Sequence, residues 1–404
     1  MSKVLFLNIP AHGHTNPTLP VVKELVERGE QVIYYSSDSF KDKIERTGAV
    51  FRSYVSGVQF DGHEIDKNIF VNAGMAMEAT REILPGVLED LRERGDDKPD
   101  YIIHDSMCVW GKYAAKILDV PAACSVTMFA FGTRPALHSW TFIRSLVRMW
   151  IDGFSGTARW FRAARAINKR FDVNTFLLKD VFTNREKLNI VYTSRLFQPG
   201  EGSFSERRFK FVGPSIAPRN ETFDLPVNKN EKRKIVYVSL GTIVSDLPTF
   251  YPACFEAFGT EDVVVIMSVG NQTDVASLGE IPDNFIVRNR VPQLEVLKRA
   301  SAFLTHAGMN SVSEGLRECV PLLCFPQTAE QGMVAKRVEQ CGAGLRIHHK
   351  DITPENLRAA IRTILDDDSY GRGAERIAKS FEAGGGYVRA ADEIFAFKKA
   401  MGIR

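Results

Sequence analysis

The sequence has no long hydrophobic run, so nothing in it matches a membrane-spanning helix, which needs about 20 consecutive apolar residues. It opens directly on an apolar strand pattern at residues 4–9, without the charged and apolar leader of a secretory signal. Residues 391–404 are charged and amphipathic, unlike a membrane anchor. We therefore expect a cytoplasmic protein with no integral membrane segment.

A strong net charge is also absent. The chain carries 52 basic and 49 acidic residues, and the resulting net charge of +3 gives no reason to expect nucleic acid as a partner. Its six cysteines are scattered, and no C-x-x-C spacing indicates zinc. We expect reduced thiols in the core and predict no metal site.

The length and composition indicate a globular protein of ordinary kind. The chain has 404 residues, of which 44% are apolar and 25% are charged. This is too long for one average hydrophobic core and suits two domains of about 200 residues each.

Strand and helix patterns alternate through the first half of the chain, which predicts a parallel α/β sheet. The first helix is expected to begin near Asn16 as N-cap, with Pro17 at the first helical position. The strand patterns lie at residues 4–9, 31–35, 50–54, 101–104 and 121–125. In such a sheet the carboxyl ends of the strands share one edge, where ligands bind.

Two chemically active residues follow these strands. His14 comes after the first strand and Asp105 comes directly after residues 101–104, so the topology allows the two side chains to meet. A carboxylate that fixes the tautomer of a histidine makes that histidine a general base. The alternative is a surface histidine in a loop and an aspartate that caps the next helix, and spacing alone does not decide.

A second candidate site lies at residues 302–319. A short apolar strand leads into a turn that contains His306, and Asn310 or Ser311 is expected to cap a helix running to about Cys319. The free N–H groups and the dipole of a helix N-terminus favour a phosphate.

Glu314 adds a different chemistry to the same helix. It lies three residues after Ser311, so both side chains share one face, and a carboxylate can accept two hydrogen bonds from a ribose diol. One helical turn thus offers both parts of a nucleoside diphosphate site. The alternative is an ordinary strand–helix unit with a polar cap.

The run from Arg290 to Gln331 resembles the nucleotide-sugar signature of the UDP-glycosyltransferases, and most of all their bacterial macrolide and flavonoid branch. Two further stretches support the resemblance. Residues 13–17 match the family's Gly-His-x-Asn-Pro loop, and residues 239–242 match its Ser-Leu-Gly-Thr motif.

The resemblance implies the α/β architecture called GT-B, with two doubly wound, Rossmann-like domains and the active site in the cleft between them. Residues 1–214 would bind the acceptor, and residues 215–232, which are polar and contain prolines, would be the linker. Residues 233–389 would bind the nucleotide sugar. A helix at residues 390–404 would cross back to the first domain.

The resemblance also implies the activity: inverting transfer of a hexose from a UDP-sugar, preferably UDP-glucose, with no cofactor and no required metal. His14 would be the general base and Asp105 would orient it. The donor would be held by Gly13, Gly241, Thr242, Arg290, Val291, Gln293, His306, Gly308, Asn310, Ser311, Glu314, Glu330 and Gln331.

The sequence departs from the family pattern at a few of these positions. Arg290 stands where many relatives carry a tryptophan that stacks on uracil, and a guanidinium can stack as well. Glu330 stands where the family usually has an aspartate that binds the sugar. Met309 and Cys319 replace a tryptophan and a glycine of plant relatives, and we interpret both as packing changes.

Residues 126–188 differ in character from the rest, with three of the four tryptophans and a helical stripe of large side chains. In the family this region shapes the pocket for the acceptor, here expected to be a small lipophilic molecule with a hydroxyl group. The predicted acceptor contacts are His12, Trp140, Phe142, Leu146 and Trp150.

The basic residues of 134–171 leave two interpretations open. They are interleaved with aromatic residues, and the segment contains a single acidic residue, Asp152. They can line the outside of the acceptor pocket, which we favour, or they can rest on a membrane surface and serve a lipid acceptor. Two further alternatives are a non-catalytic nucleotide-sugar-binding protein, against which the presence of His14 and Asp105 argues, and a sugar-nucleotide epimerase on the same fold. We expect a monomer or weak dimer.

Overall fold

The computed structural model describes residues 1–54, 68–96, 98–132, 144, 148–174, 183–219, 231–241 and 249–403. They form two compact units: Met1–Ser215 together with Gly384–Arg404, and Ile216–Ala383. Most of the predicted linker at 215–232 lies outside the described residues, while residues 216–219 and 231–232 belong to the second unit.

The first unit is built on a parallel sheet of seven strands in the order β3-β2-β1-β4-β5-β6-β7. The strand order reverses between β1 and β4, and a crevice at the carboxyl ends of the strands is expected at such a point. The strands are β1 (Lys3–Leu7), β2 (Gln31–Ser36), β3 (Val50–Ser53), β4 (Tyr101–Asp105), β5 (Ala122–Val126), β6 (Leu188–Val191) and β7 (Phe209–Phe211).

Helices cover both faces of this sheet, which explains why its central strands are continuously apolar. Side chains alternate along β1: Val4 and Phe6 enter one core, and Leu5 and Leu7 enter the other. The helices are α1 (His12–Glu27), α2 (Lys41–Glu45), α3 (Ile69–Glu93), α4 (Val109–Leu118) and α5 (Phe154–Phe171).

Helices α3 and α5 cross at a very short distance. A side chain at Gly74 would lie 2.5 Å from the carbonyl oxygen of Gly156, and one at Gly156 would lie 2.5 Å from the carbonyl oxygen of Phe70. Only glycine at both positions lets the two backbones touch. The inner side of α5 is therefore firmly seated, with Trp160 and Ile167 buried.

The second unit contains a parallel sheet of six strands in the order β10-β9-β8-β11-β12-β13. The strands are β8 (Lys234–Ser239), β9 (Val263–Ser268), β10 (Phe285–Arg288), β11 (Ala302–Thr305), β12 (Leu322–Cys324) and β13 (Gly344–Arg346). Its helices are α6 (Phe250–Phe258), α7 (Gln293–Leu297), α8 (Met309–Arg317), α9 (Ala329–Gln340), α10 (Pro354–Asp366) and α11 (Asp368–Glu382).

The last helix, α12 (Gly386–Ala400), belongs to the first unit and begins four residues earlier than predicted. Its apolar residues share a core with Val4 and Phe6 of β1. The ammonium group of Lys398 forms a buried ion pair with Glu30. Helix α12 is thus a structural part of a unit whose other helices and strands all precede position 216.

Two elements differ from the sequence predictions. Helix α1 begins at His12 with Ala11 as N-cap, so Asn16 does not cap it and Pro17 lies inside it. Helix α11 was not predicted, and its N-cap is Asp367, whose side chain accepts a hydrogen bond from the Ser369 N–H. Among the described residues, no helix is long and apolar enough to cross a membrane.

Candidate active site

The first turn of α1 positions His14 at the carboxyl edge of the first sheet. The Ala11 carbonyl accepts hydrogen bonds from the backbone N–H groups of His14 and Thr15, at 3.0 and 2.8 Å. Both bonds form before Pro17 in the chain. The first turn of α1 therefore does not depend on Pro17, which has no N–H to donate. The predicted loop is therefore helical, and His14 is held by regular backbone geometry.

Asp105, the last residue of β4, lies beside His14 as the strand topology predicted. Its Oδ2 is 2.8 Å from His14 Nδ1, and its Oδ1 accepts the Met107 N–H at 2.7 Å. The carboxylate is fully buried, whereas the His14 side chain is 13% exposed. The carboxylate thus faces one ring nitrogen, and a part of the imidazole is accessible.

Thr127 is a third member of this group that the sequence analysis missed. It follows β5, the neighbour of β4, and its hydroxyl oxygen lies 2.9 Å from His14 Nδ1 and 3.3 Å from Asp105 Oδ2. The Thr127 side chain is buried. The available signal was its position one residue after a central strand, at the same sheet edge as Asp105.

These contacts determine which ring nitrogen carries the proton. Nδ1 of His14 faces the Asp105 carboxylate, which can only accept, so Nδ1 is the donor. The lone pair is then on Nε2. A histidine in this state can remove a proton from a hydroxyl group, and the carboxylate stabilises the positive charge that the ring acquires.

A buried polar cluster supports the end of β4 behind Asp105. His104 lies with Nδ1 3.0 Å from the Asp105 carbonyl oxygen and Nε2 3.3 Å from Glu186 Oε1, and Lys112 Nζ is 3.3 Å from the same Glu186 oxygen. Burial raises the pKa of Glu186, but the hydrogen bond from His104 and the charge of Lys112 outweigh it and hold that pKa below its ordinary value. Glu186 therefore stays ionised and keeps His104 in place.

Replacing Thr127 by valine should lower kcat by about 2- to 10-fold, because the pair His14–Asp105 loses a hydroxyl that hydrogen bonds to both groups. The acid limb of the kcat profile against pH should shift, while the KM for the nucleotide sugar stays constant. Thr127→Ser restores the hydroxyl and should restore both kcat and the profile. Equal rates in Thr127→Val and the parent enzyme would show that the hydroxyl does not position His14.

Only some of the predicted acceptor contacts lie in the part of the chain that the structure describes. Trp140, Phe142 and Leu146 lie outside the described residues, as does Thr242 of the donor set. The His12 ring lies edge-on to Phe40, with 4.9 Å between the centroids. Trp150 is 44% exposed.

In the second unit, a glycine-lined turn surrounds His306 at the end of β11. A side chain at Gly241 would lie 2.7 Å from His306 Cε1, and one at Gly308 would lie 2.4 Å from His306 Nε2. Gly241 also has φ +78°, a conformation that favours glycine. Both positions thus need glycine for the imidazole to occupy its place.

Helix α8 begins directly after this turn, and Gly308 is its N-cap. The predicted caps, Asn310 and Ser311, are instead the second and third residues of the helix. The Gly308 carbonyl accepts the Val312 N–H at 3.0 Å, so the first turn closes two residues earlier than expected. The N–H groups of Met309, Asn310 and Ser311 therefore point out of the first turn, at the positive end of the helix dipole. An anion is favoured there.

Glu314, one turn further along α8, is buried and held from two sides. Gln293 Nε2 donates to its Oε2 at 2.6 Å, and Arg219 Nη2 donates to its Oε1 at 2.5 Å. The sequence analysis predicted Gln293 at this site but missed Arg219. Two carboxylate oxygens can accept about four hydrogen bonds in all, so these donors fix Glu314 and leave capacity for two hydroxyl groups.

The other predicted contacts of the nucleotide sugar lie in the segments before and after α8. Arg290 is exposed and Val291 is buried, both between β10 and α7. Glu330 lies in the first turn of α9. Gln331 completes a capping box with Thr328, and its Oε1 accepts the Gln327 N–H at 2.7 Å. A sugar hydroxyl would therefore have to contact Gln331 through its Nε2.

The imidazole of His306 is uncharged at neutral pH. Desolvation lowers its pKa from the ordinary 6.5 to about 4, against a smaller opposing effect of a hydrogen bond with the Ser239 backbone. Its Nδ1 is buried and has no hydrogen-bond partner among the described residues. The ring is thus available to a ligand as a neutral hydrogen-bonding group next to the N-terminus of α8.

The stability of the ligand-free enzyme should fall as the pH drops from about 6.5 to about 4. In this window the unfolded chain binds a proton at His306 and the folded chain does not, so protonation favours unfolding, by up to about 3 kcal/mol. Urea unfolding of the second unit at several pH values, compared between the parent and His306→Gln, measures this. An identical pH slope in both proteins would contradict the assignment.

Comparisons with known proteins identify the relatives of this chain. Residues 212–380 match the family described as UDP-glucoronosyl and UDP-glucosyl transferase. The chain is 36% identical to NDP-glycosyltransferase YjiC of Bacillus licheniformis over 99% of both proteins. It is 29% identical to oleandomycin glycosyltransferase of Streptomyces antibioticus over 97% of this chain and 90% of that protein.

A solved structure, the glycotransferase of kitacinnamycin, superposes on this chain with a TM-score of 0.85 and 27% identity, covering 97% of this chain and 98% of that one. This confirms the GT-B fold class expected from the sequence. A relative matched at 36% identity along nearly its whole length establishes kinship. The chain belongs to the UDP-glucoronosyl and UDP-glucosyl transferase family.

Proposed function

We propose that this glycosyltransferase transfers a hexose, preferably glucose, from a UDP-sugar to a hydroxyl of a small lipophilic acceptor, with inversion and without a required metal. The observation that carries the proposal is the contact of 2.8 Å between His14 Nδ1 and Asp105 Oδ2, which makes Nδ1 the donor and places the lone pair of the ring on Nε2. The names of the relatives, among them an oleandomycin and a kitacinnamycin glycosyltransferase, support an acceptor of the natural-product type.

In the proposed reaction, Nε2 of His14 takes the proton of the acceptor hydroxyl as its oxygen bonds to the anomeric carbon. The bond from that carbon to the diphosphate breaks in the same step, and UDP leaves. One displacement inverts the anomeric centre, so an α-linked donor gives a β-glycoside. Asp105 stabilises the imidazolium that forms.

The leaving group would be stabilised by the second unit. The N–H groups at the start of α8, the dipole of that helix and the neutral imidazole of His306 suit a diphosphate, and Glu314 suits the ribose hydroxyls. A divalent metal performs this electrostatic task in other enzymes. Here the helix N-terminus is proposed to perform it.

The test is the release of UDP from UDP-glucose in the presence and absence of acceptors, over phenols, flavonoids, macrolides and lipid alcohols. Release that depends on the acceptor, with a β-linked product by NMR, is the expected result. An epimerase would change the sugar without releasing UDP. Activity should persist in EDTA, and complete loss with rescue by Mg²⁺ would overturn the metal-independent part of the proposal.

A further inference from the structure

The outer side of α5 and of the turn before it carries several large apolar side chains in water. Ile151 and Phe154 are each 60% exposed, and Phe161 is 53% exposed. Phe154 and Phe161 are two helical turns apart, so they lie on the same side of the helix. The Trp150 ring adjoins Phe154, with 6.1 Å between the centroids. Single exposed apolar residues are common on surfaces, but two phenylalanines on one side of α5, with an exposed tryptophan and isoleucine in the residues just before it, need an explanation.

Basic side chains share this side of α5. Arg162, Arg165 and Lys169 are exposed and follow one another at helical spacing beside Phe161. We call Trp150, Ile151, Phe154, Phe161, Arg162, Arg165 and Lys169 the α5 face. Residues 148–171 hold a single acidic residue, Asp152, whose carboxylate lies 3.9 Å from Arg148.

A cavity of about 310 Å³ adjoins the end of this helix, between α3 and α5. Arg81 and Arg170 supply two guanidinium groups to its lining, and Pro85 and Phe171 supply apolar wall. Glu82, whose carboxylate lies 3.5 Å from Arg81, also lines this cavity, so the cavity has mixed charge and is not counted in the α5 face.

We propose that the α5 face binds the surface of an anionic lipid membrane, which is the alternative left open, but not favoured, by the sequence. The charge complementarity is direct, because arginine and lysine meet the headgroups while phenylalanine, tryptophan and isoleucine enter the boundary of the acyl chains. The long basic side chains can extend along the apolar surface to reach the headgroups. The proposal concerns binding only and does not depend on the proposed reaction.

A nucleic acid fits this face less well. Isoleucine and a row of phenylalanines offer more apolar surface than a phosphate backbone can use, and the whole chain has a net charge of only +3. A second protein copy would need acidic residues opposite Arg162, Arg165 and Lys169, and the α5 face itself has none to offer in a symmetric contact.

Sedimentation of the full-length protein with vesicles tests the proposal. Vesicles of equal parts phosphatidylcholine and phosphatidylglycerol should bind it, and vesicles of phosphatidylcholine alone should bind it weakly. Each cation near an anionic surface contributes about a fivefold factor, so the triple variant R162Q/R165Q/K169Q should bind about a hundredfold more weakly. Added NaCl should weaken binding of the parent protein.

Two further variants make the test specific. K336Q/K350Q/R372Q removes three basic residues of the second unit and should bind as the parent does. F154S/F161S keeps every charge and should also lose most of the binding, because the apolar contacts are gone. Addition of vesicles should shift the tryptophan fluorescence to shorter wavelength, and W150F should reduce that shift.

Several results would overturn the proposal: no sedimentation with anionic vesicles, an equal loss in the second-unit control, or unchanged binding in both α5-face variants. Dimerisation without lipid that R162Q/R165Q/K169Q abolishes would assign the α5 face to a second copy. RNA is added to the protein–vesicle mixture at the same total negative charge as the lipid. If the RNA binds the α5 face and displaces the protein from the vesicles, the face belongs to a nucleic acid. Transfer of glucose from UDP-glucose to a water-soluble phenol is measured separately, so failure of the proposed function remains distinguishable.

Discussion

Replacing His14 by alanine should lower the rate of transfer to an alcohol acceptor by about 10²–10⁴-fold while UDP still binds. Asp105 and Thr127, which contact the ring, cannot take over as base, because Asp105 is buried and a hydroxyl is a far weaker base than imidazole. Steady-state kinetics with UDP-glucose and calorimetry with UDP measure the two effects separately.

The nature of the acceptor provides an internal control for this variant. An acidic phenol needs less help to lose its proton, so His14→Ala should retain a larger fraction of the rate on a nitrophenol than on an alcohol. Asp105→Asn should also lower the rate of transfer, because the His14 ring loses the group that fixes its tautomer. Near-normal turnover of His14→Ala on an alcohol acceptor would exclude His14 as the base.

Replacing Glu314 by alanine should weaken the binding of UDP and UDP-glucose alike, by about 1.5–3 kcal/mol or roughly 10- to 150-fold. The ribose hydroxyls would lose a charged acceptor. Gln293 and Arg219 would lose the carboxylate that holds them at 2.6 and 2.5 Å, so the whole group would lose its order. Calorimetry with both nucleotides gives the affinities directly.

Glu295 supplies the matched control on α7. Its carboxylate pairs with Lys298 at 2.7 Å on the surface, so Glu295→Ala removes the same charge from the neighbourhood of Gln293 without touching Glu314. UDP affinity should then be unchanged. Glu330→Ala should weaken UDP-glucose and leave UDP nearly unaffected. Unchanged affinity in Glu314→Ala would show that the ribose is held elsewhere.

The meeting of His14 and Asp105 was predictable only as a possibility that spacing alone did not decide. Parallel strands place their carboxyl ends at one edge, so residues that follow two strands can approach each other, and the structure adds that β1 and β4 are neighbours. Thr127 obeys the same rule but was missed, because a threonine after a strand carries no distinctive chemistry in the sequence. Only the distances to His14 reveal it.

The exact start of α8 was not predictable from local preferences. Asn310 and Ser311 are good capping residues, yet the helix begins before them because Ala307 adopts a left-handed conformation, φ 63°, and Gly308 then enters the helix from extended backbone. Helix α11 contains Gly371 and Gly373, which lowers its helix propensity. Gly373 is needed there, because a side chain would lie 1.9 Å from the Gly342 carbonyl oxygen. For α8 a backbone conformation outweighs the capping preference, and for α11 a tertiary contact outweighs the low helix propensity of glycine.

Arg219 shows a further limit of sequence reasoning. It lies 95 positions before Glu314, next to a proline in a polar segment, and nothing in its surroundings indicates a partner. Its side chain reaches Glu314 only because the chain at residues 216–219 packs with the second unit. Long-range pairs of this kind depend on the path of irregular backbone, which no periodicity encodes.

The position of α12 has a consequence for how the protein is made. Ribosomes synthesise the chain from the amino end, and the first unit lacks Ala390, Ile394 and the Lys398 partner of Glu30 until almost all of the chain has been produced. The second unit, continuous from Ile216 to Ala383, is complete earlier and can fold during synthesis. Until α12 is synthesised, part of the apolar core of the first unit stays exposed. We therefore expect chaperones to bind the nascent chain on the face of the sheet that α12 later covers.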